Sequence, residues 1–208
     1  MLYVNVGHHN TSRINYLIER GVKHFLVTDR STLRFLLRLL NEVDIIVDNG
    51  AFQKKLDLKL LMLAKQLGLK FIMPDILCNR NKTVELHEKY HYLFDKKLSF
   101  VVAQGRSIKD YIKCVRKLEN LFDFNKVATR GLLAKPKGYR DKIVLRVREV
   151  LGEDVWVHSL GHKTVHADSY DISIKYVKRH RETVELDRVI ELYKKFNSLK
   201  KQLSLIHI

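Results

Sequence analysis

The 208-residue sequence contains only two cysteines, Cys78 and Cys114, and neither belongs to a Cys-x-x-Cys pair. A disulfide framework and a cysteine-based zinc module are thereby excluded, and both thiols are expected to be reduced. No apolar run approaches the roughly 18 to 20 residues that a membrane-spanning helix requires. The opening Met1-Leu-Tyr-Val-Asn5 is too short and uncharged to read as a signal peptide. Low-complexity segments and an interdomain linker are missing as well, so a single domain over 1–208 is expected, in a soluble, cytoplasmic protein. Acidic residues are scarce beside basic ones, 23 against 39, which leaves a formal charge of +16. Such a field concentrates polyanions through counterion release, so nucleic acid is the leading partner class. A hydrophobic content of 46% is sufficient for a globular core.

What is present is an alternation of short apolar runs with amphipathic stretches. Strands are expected at 2–6, 24–29, 45–47, 70–74, 99–103, 126–129, 155–160 and 164–169. Helices are expected from Thr11 or Ser12 to residue 21, after a Ser31 cap, and at 57–67, 82–94, 107–122 and 139–151. A C-terminal helix at about 184–203 would carry Leu186, Val189, Ile190, Tyr193 and Phe196 on one face. Strand alternating with helix eight times predicts an α/β fold, a compact (β/α)8 barrel, with an open doubly wound sheet as the alternative. The seventh helix is reduced to the few residues 161–163.

In either architecture ligands bind at the carboxyl ends of the parallel strands. Asp48, Asp75 and Gln104 all fall there, with His8, Asp29, Gly131 and His158 or Gly161, and Asp168 if the last strand covers 165–167. Carboxylates accept from ring and exocyclic N–H groups, an amide does both, and Phe52 can stack on a ring face. Together they suit recognition of a purine-like base. A further carboxylate could attack a sugar C1′ and form a covalent glycosyl enzyme. The plainer reading of each Asp alone is a helix cap or a turn.

These residues resemble a known family. Asp48-Asn-Gly-Ala-Phe-Gln53 is similar to the Asp-Ser-Gly-Gly-aromatic-Gln segment of tRNA-guanine transglycosylases, and closer to the Asp-Ser-Gly-Ala-Phe form of their DNA 7-deazaguanine-inserting relatives. Met73-Pro-Asp75, Val102-Ala-Gln-Gly105, Arg130-Gly-Leu-Leu133 and Ala167-Asp-Ser-Tyr-Asp171 follow in the family's order, so the resemblance spans about 44–175. It implies a TIM barrel and replacement of guanine by a 7-deazapurine in tRNA or DNA, through a covalent Asp-glycosyl intermediate and without a cofactor. It further implies Asp48 as general base and Asp75 with Gln104 and Gly105 as readers of the purine edge. The backbone at Gly131 and Leu132 would touch its carbonyl, and Asp168 or Asp171 would be the nucleophile. Of these two, the DNA-type pattern and a strand-end position favour Asp168, whereas the tRNA-type pattern selects Asp171. The family's Cys-x-Cys-x-x-Cys…His module is absent, as is the glutamate after the glycine-leucine loop. A binder that retains the barrel without the chemistry is the alternative.

Three further patterns compete. His87-Glu-Lys-Tyr-His91 fits H-E-x-x-H, which on a helix places two metal ligands one turn apart with a water-activating glutamate. His158, His162 and His166 recur every four residues, although Gly161 argues for strand and turn there; no metal is expected. Lys135, Lys137 and Arg140 lie on a basic stretch where Tyr139 could stack on a base, and Lys175, Lys178 and Arg179 follow the last motif. These seven are the candidate nucleic-acid contacts.

Overall fold

The computed structural model describes residues 1–6, 11–50, 56–173 and 182–206. Among them are eight strands that hydrogen-bond in sequence order as a closed parallel barrel. The strands are β1 Leu2–Asn5, β2 His24–Val27, β3 Asp44–Val47, β4 Lys70–Ile72, β5 Ser99–Ala103, β6 Lys126–Thr129, β7 Trp156–Ser159 and β8 Ser169–Ser173. Helices α1 Thr11–Glu19, α2 Arg30–Leu36, α3 Leu58–Gln66, α4 Arg80–Lys89, α5 Ile108–Leu121 and α6 Lys137–Leu151 follow the first six strands in turn, and α7 Glu182–Ile206 follows β8. Only turns join β7 to β8, as the shortened seventh helix predicted.

The chain divides into two compact units, Ile46–Tyr170 and Met1–Ile45 with Asp171–Ile208. In the second of these, α7 buries Leu186, Val189, Ile190, Tyr193 and Phe196, the face anticipated for it. Asn197 accepts the Leu2 N–H at 3.0 Å and Tyr193 Oη accepts the Lys23 N–H at 2.9 Å, so α7 is tied to β1 and to the start of β2. Tyr3 Oη donates to Asp44 at 2.6 Å across the starts of β1 and β3.

The larger unit carries the strands of interest. All five residues of β5 are buried, as expected of a parallel strand covered on both faces. Alternation sorts its side chains: Val101 and Ala103 join Tyr111, Cys114, Val115 and Leu118 of α5 and Val144 and Val147 of α6 in the core between sheet and helices. Phe100 faces the other way, its ring 5.8 Å from those of Trp156 and His158. Gln104 therefore continues the interior face of β5, and Arg130 that of β6, because Val127 belongs to the helix-side core. Capping follows polar residues just ahead of each helix: Asp29 accepts from Thr32 N, Asp57 from Leu60 N, Asn79 from Lys82 N and Ser107 from Asp110 N.

Several expectations are corrected. Helix α2 is capped by Asp29, to which the expected cap Ser31 donates its hydroxyl at 2.5 Å. The helix expected from residue 139 begins at Lys137 behind Pro136, so most of the basic stretch 135–142 lies on α6. The eighth strand lies at Ser169–Ser173 rather than 164–169. Val165 is 81% exposed in a turn, and pairing of His158 with Ser169 and Ser159 with Tyr170 sets where β8 starts. Asp168 thus precedes its strand.

The H-E-x-x-H pattern is divided by the end of α4. His87 is fully buried, its Nδ1 2.8 Å from the Thr83 carbonyl and its Nε2 accepting the Val102 N–H at 3.1 Å. His91 lies in a 3-10 turn at the surface. Both nitrogens of His87 are engaged, Nδ1 within α4 and Nε2 with β5, and among the described residues no cluster of three metal-ligating side chains occurs.

Burial lowers the His87 pKa from 6.5 to about 4. The unfolded chain therefore binds the proton first, and stability declines as pH falls from about 6.5 to about 4. Urea unfolding across that range is expected to show this decline, and His87→Gln is expected to make it shallower. An unchanged slope in the variant would contradict the role assigned to His87.

Candidate active site

Four successive strand ends of the larger unit deliver polar side chains to one place. Asp48 and Asn49 follow β3, Asp75 lies three residues beyond β4, Gln104 follows β5 and Arg130 follows β6. All five are buried. Each continues an apolar strand, so its position is set by a sheet with no freedom to slip without exposing its core face.

Arg130 organises the group. Its guanidinium pairs with Asp48, donates to Asn49 Oδ1 at 3.0 Å and lies 3.5 Å from Asp75 Oδ1. Asn49 Nδ2 donates in turn to Asp75 Oδ1 and to the Met73 carbonyl, both at 2.5 Å, while Gln104 Nε2 donates to Asp75 Oδ2 at 2.5 Å. The remaining oxygen of Gln104 accepts the Cys78 N–H at 3.0 Å, which fixes the orientation of the amide. Side-chain exposures of 5% for Arg130, 7% for Asp48 and 0% for Asp75 place these charges away from bulk water. Two carboxylates and one guanidinium leave a formal charge of −1 on the cluster. Buried charges at this density persist only when paired and hydrogen-bonded.

The backbone beside Arg130 is fixed with equal care. Its carbonyl accepts from Tyr111 Oη of α5, whose phenol burial pushes above its ordinary pKa. Gly131 has φ +78°, and a Cβ there would stand 2.8 Å from Gln104 Oε1 and 3.3 Å from Tyr111 Oη. Glycine meets both demands, a left-handed conformation and the close approach of an amide. Cys78 closes the group with its Sγ 4.0 Å from the Gly131 carbonyl and its own φ at +54°. Both cysteines are free thiols, and burial pushes Cys114 up to about 11.

The other anticipated residues are distributed as follows. Gly105 is buried beside Gln104, where a Cβ would meet Asp110 Cβ at 2.5 Å. Leu132 is buried in the helix-side core, and its carbonyl accepts the Lys135 N–H at 2.8 Å, so it is held within the turn. Asp168 is not beside Asp48: it accepts the Val157 N–H at 2.7 Å and pairs with Arg148, whose guanidinium also holds the Val155 and Gly152 carbonyls. That network lies at the amino end of β7, because a carboxylate ahead of β8 meets the start of its parallel neighbour. Asp171 lies within β8 and is buried. Tyr139 packs against the helix-side core and accepts the Ile108 N–H at 3.1 Å. Lys135 Nζ donates to the Arg106 carbonyl at 2.9 Å and Arg140 Nε to the Lys135 carbonyl at 2.7 Å. Two of the histidines at four-residue spacing have different partners: His158 Nδ1 lies 2.8 Å from Ser169 Oγ, and His162 Nε2 lies 3.1 Å from Asp141. His8, Phe52, Lys175, Lys178, Arg179 and the side chain of Lys137 lie outside the described residues.

Arg130 and Asn49 had no role assigned from sequence. A charged residue directly after the apolar run of β6 was the available signal for Arg130, since a strand end is where such a side chain meets the rim. Replacing Arg130 by Met strands two buried carboxylates and is expected to lower stability by about 3–5 kcal/mol. Adding Asp48→Asn is expected to cost less than the sum of the two single changes, measured as a double-mutant cycle by urea unfolding. Strict additivity would show that the pair is not coupled.

No protein-family model matches this sequence, and a search among curated proteins found no match either.

Proposed function

We propose that this protein is a base-exchange glycosyltransferase resembling tRNA-guanine transglycosylases, which replaces guanine with a 7-deazapurine in tRNA or DNA. The observation that carries the reading is Asp75, a buried carboxylate held from both sides by oriented amides of Asn49 and Gln104. A carboxylate beside an amide presents the acceptor and donor pattern that the edge of a guanine requires. Keeping these groups in place before the ligand arrives reduces the ordering that binding would otherwise demand. The charge of the chain, +16, suits delivery of the base within a polyanion.

In this reading the target nucleotide is extruded and a carboxylate oxygen attacks C1′. The C1′–N9 bond breaks, its electron pair leaves with guanine, and water supplies the proton that neutralises the departing base. The incoming base gives its N9 proton to Asp48, attacks C1′, and releases the carboxylate. We take Asp171 as the nucleophile, the residue that the tRNA-type pattern selects, whereas Asp168 precedes β8 and lies in the network at the amino end of β7. Arg130 serves as counter-ion to Asp48 and Asp75. The same ion pair favours a second reading, a nucleic-acid binder without chemistry, since Asp48 paired to a guanidinium is also what a purely structural site would contain.

Trapping of a covalent protein–nucleic acid adduct on denaturing gels separates the two. Wild type and Asp168→Asn are expected to form the adduct with tRNA or DNA, and Asp171→Asn to lose it. Asp48→Asn is expected to slow incorporation of labelled guanine by about 10²–10⁴-fold, the range for a lost general base. Salt-sensitive binding with neither adduct nor incorporation would establish the binder instead.

A further inference from the structure

We infer that the outer face of α5, with the cleft at its beginning, is the track along which the phosphodiester backbone of a single-stranded or unpaired nucleic-acid segment lies. A cleft of about 160 Å³ opens between the loops that follow β4 and β5. Arg80, Asn81, Arg106 and Asp110 line it, together with Cys78 and Gly105, which adjoin Gln104 of the candidate site. Its one carboxylate is already engaged, since Asp110 pairs with Arg80 at 3.3 Å and accepts from Ser107 Oγ and the Arg106 N–H. The one acid of the cleft is thus taken up by the Arg80 guanidinium, Ser107 and the Arg106 backbone, while the side chains of Arg80 and Arg106 supply two positive charges to its lining. Lys135 brings a third positive charge to the same loop through its bond to the Arg106 carbonyl.

From this cleft a row of cations continues along the helix. Arg106, Lys109, Lys113 and Lys117 are all exposed, while Tyr111, Cys114, Val115 and Leu118 are buried on the opposite side. Three of the four lysine and arginine positions are spaced four apart, so they form one stripe with a rise of about 6 Å between successive charges. None of the four has an ion pair among the described residues, whereas Arg116 of the same helix pairs with Glu119 and Arg146 of α6 with Glu149. Like charges at this spacing repel and disfavour the helix that carries them. A chain of phosphates laid along the stripe removes that repulsion and releases its own counterions. Because the stripe leads to the loop that holds Gln104, a backbone on it brings its nucleotides to the cluster of Asp75 and Arg130. The inference rests on the nucleic-acid part of the proposed function and is independent of base exchange.

The test is fluorescence anisotropy with a short labelled single-stranded oligonucleotide, titrated over a series of salt concentrations. Wild type is compared with a stripe variant, Arg106→Ala, Lys109→Ala, Lys113→Ala and Lys117→Ala combined, and with a control of equal charge loss, Lys59→Ala, Lys89→Ala, Lys97→Ala and Lys142→Ala. The stripe variant is expected to lose affinity and to reduce the slope of log Kobs against log salt by about 2 to 3, at roughly 0.7 per phosphate contact on a single strand. The control is expected to keep the wild-type slope. The single change Lys113→Glu, which removes no packing, is expected to weaken binding in the same direction. Equal effects of stripe and control, or no binding by wild type, would overturn the assignment. A protein that binds through the stripe but incorporates no labelled guanine would leave it standing and refute the exchange reaction alone.

Discussion

The ion pairs of Arg130 are the constraint on which the larger unit's rim depends. Asp48 and Asp75 are brought to one place by the ends of β3 and β4, and both are withdrawn from water. Two carboxylates so placed would repel each other and lose their hydration. One guanidinium from the end of β6 offsets both costs, and Asn49 bridges the same groups, accepting from Arg130 through Oδ1 and donating to Asp75 through Nδ2. The requirement propagates outward. Tyr111 of α5 anchors the Arg130 carbonyl, Gly131 accepts a left-handed turn so that Gln104 can approach, and Cys78 adopts a positive φ to hold that amide. The helix behind the sheet and the loops above it are shaped by how one cation must be held.

Chemical capability follows from that arrangement. Asp75 is oriented by two amides, so its acceptor directions are fixed, and Gln104 is fixed in turn by a backbone N–H. A site of this kind discriminates by leaving buried polar groups unpaired when the wrong ligand enters, which is a stronger selection than apolar shape can provide. The ion pair between Arg130 and Asp48 has a different consequence. It keeps compensating charge next to Asp48, so in the proposed reaction binding and proton transfer would draw on the same network. Removing any member is therefore expected to cost stability as well as any activity the site has, because the site is built from the interior of a fold rather than on its surface.

Much of the fold was legible because its signals are local. Apolar runs ended where the chain needed polar side chains, and Asp48, Asp75 and Gln104 were identifiable as strand-end residues from that alone. The eighth strand was misplaced because Val165 and Ala167 imitate a strand, and only pairing with His158 and Ser159 shows that the ladder starts at Ser169. That shift separated Asp168 from Asp171. The pattern around His87 was chemically valid as a metal site, yet the difference between a ligand and a structural imidazole lies in the Val102 N–H, a partner on another element. Arg130 and Asp48 are 82 residues apart, so their pairing has no local signature. Tyr139, read as a stacking ring, is held by the Ile108 N–H for the same reason. Short-range grammar specified the barrel, and long-range contacts decided which of its side chains form the site.

The most direct test of the claim that the Asp75 cluster recognises a purine is calorimetric titration of the protein with free guanine. Binding to wild type that is abolished by Asp75→Asn and kept by Asp168→Asn is the result predicted, because Asp75 belongs to the cluster and Asp168 to the network of Arg148. Absence of binding to wild type, or undiminished binding to Asp75→Asn, would contradict it.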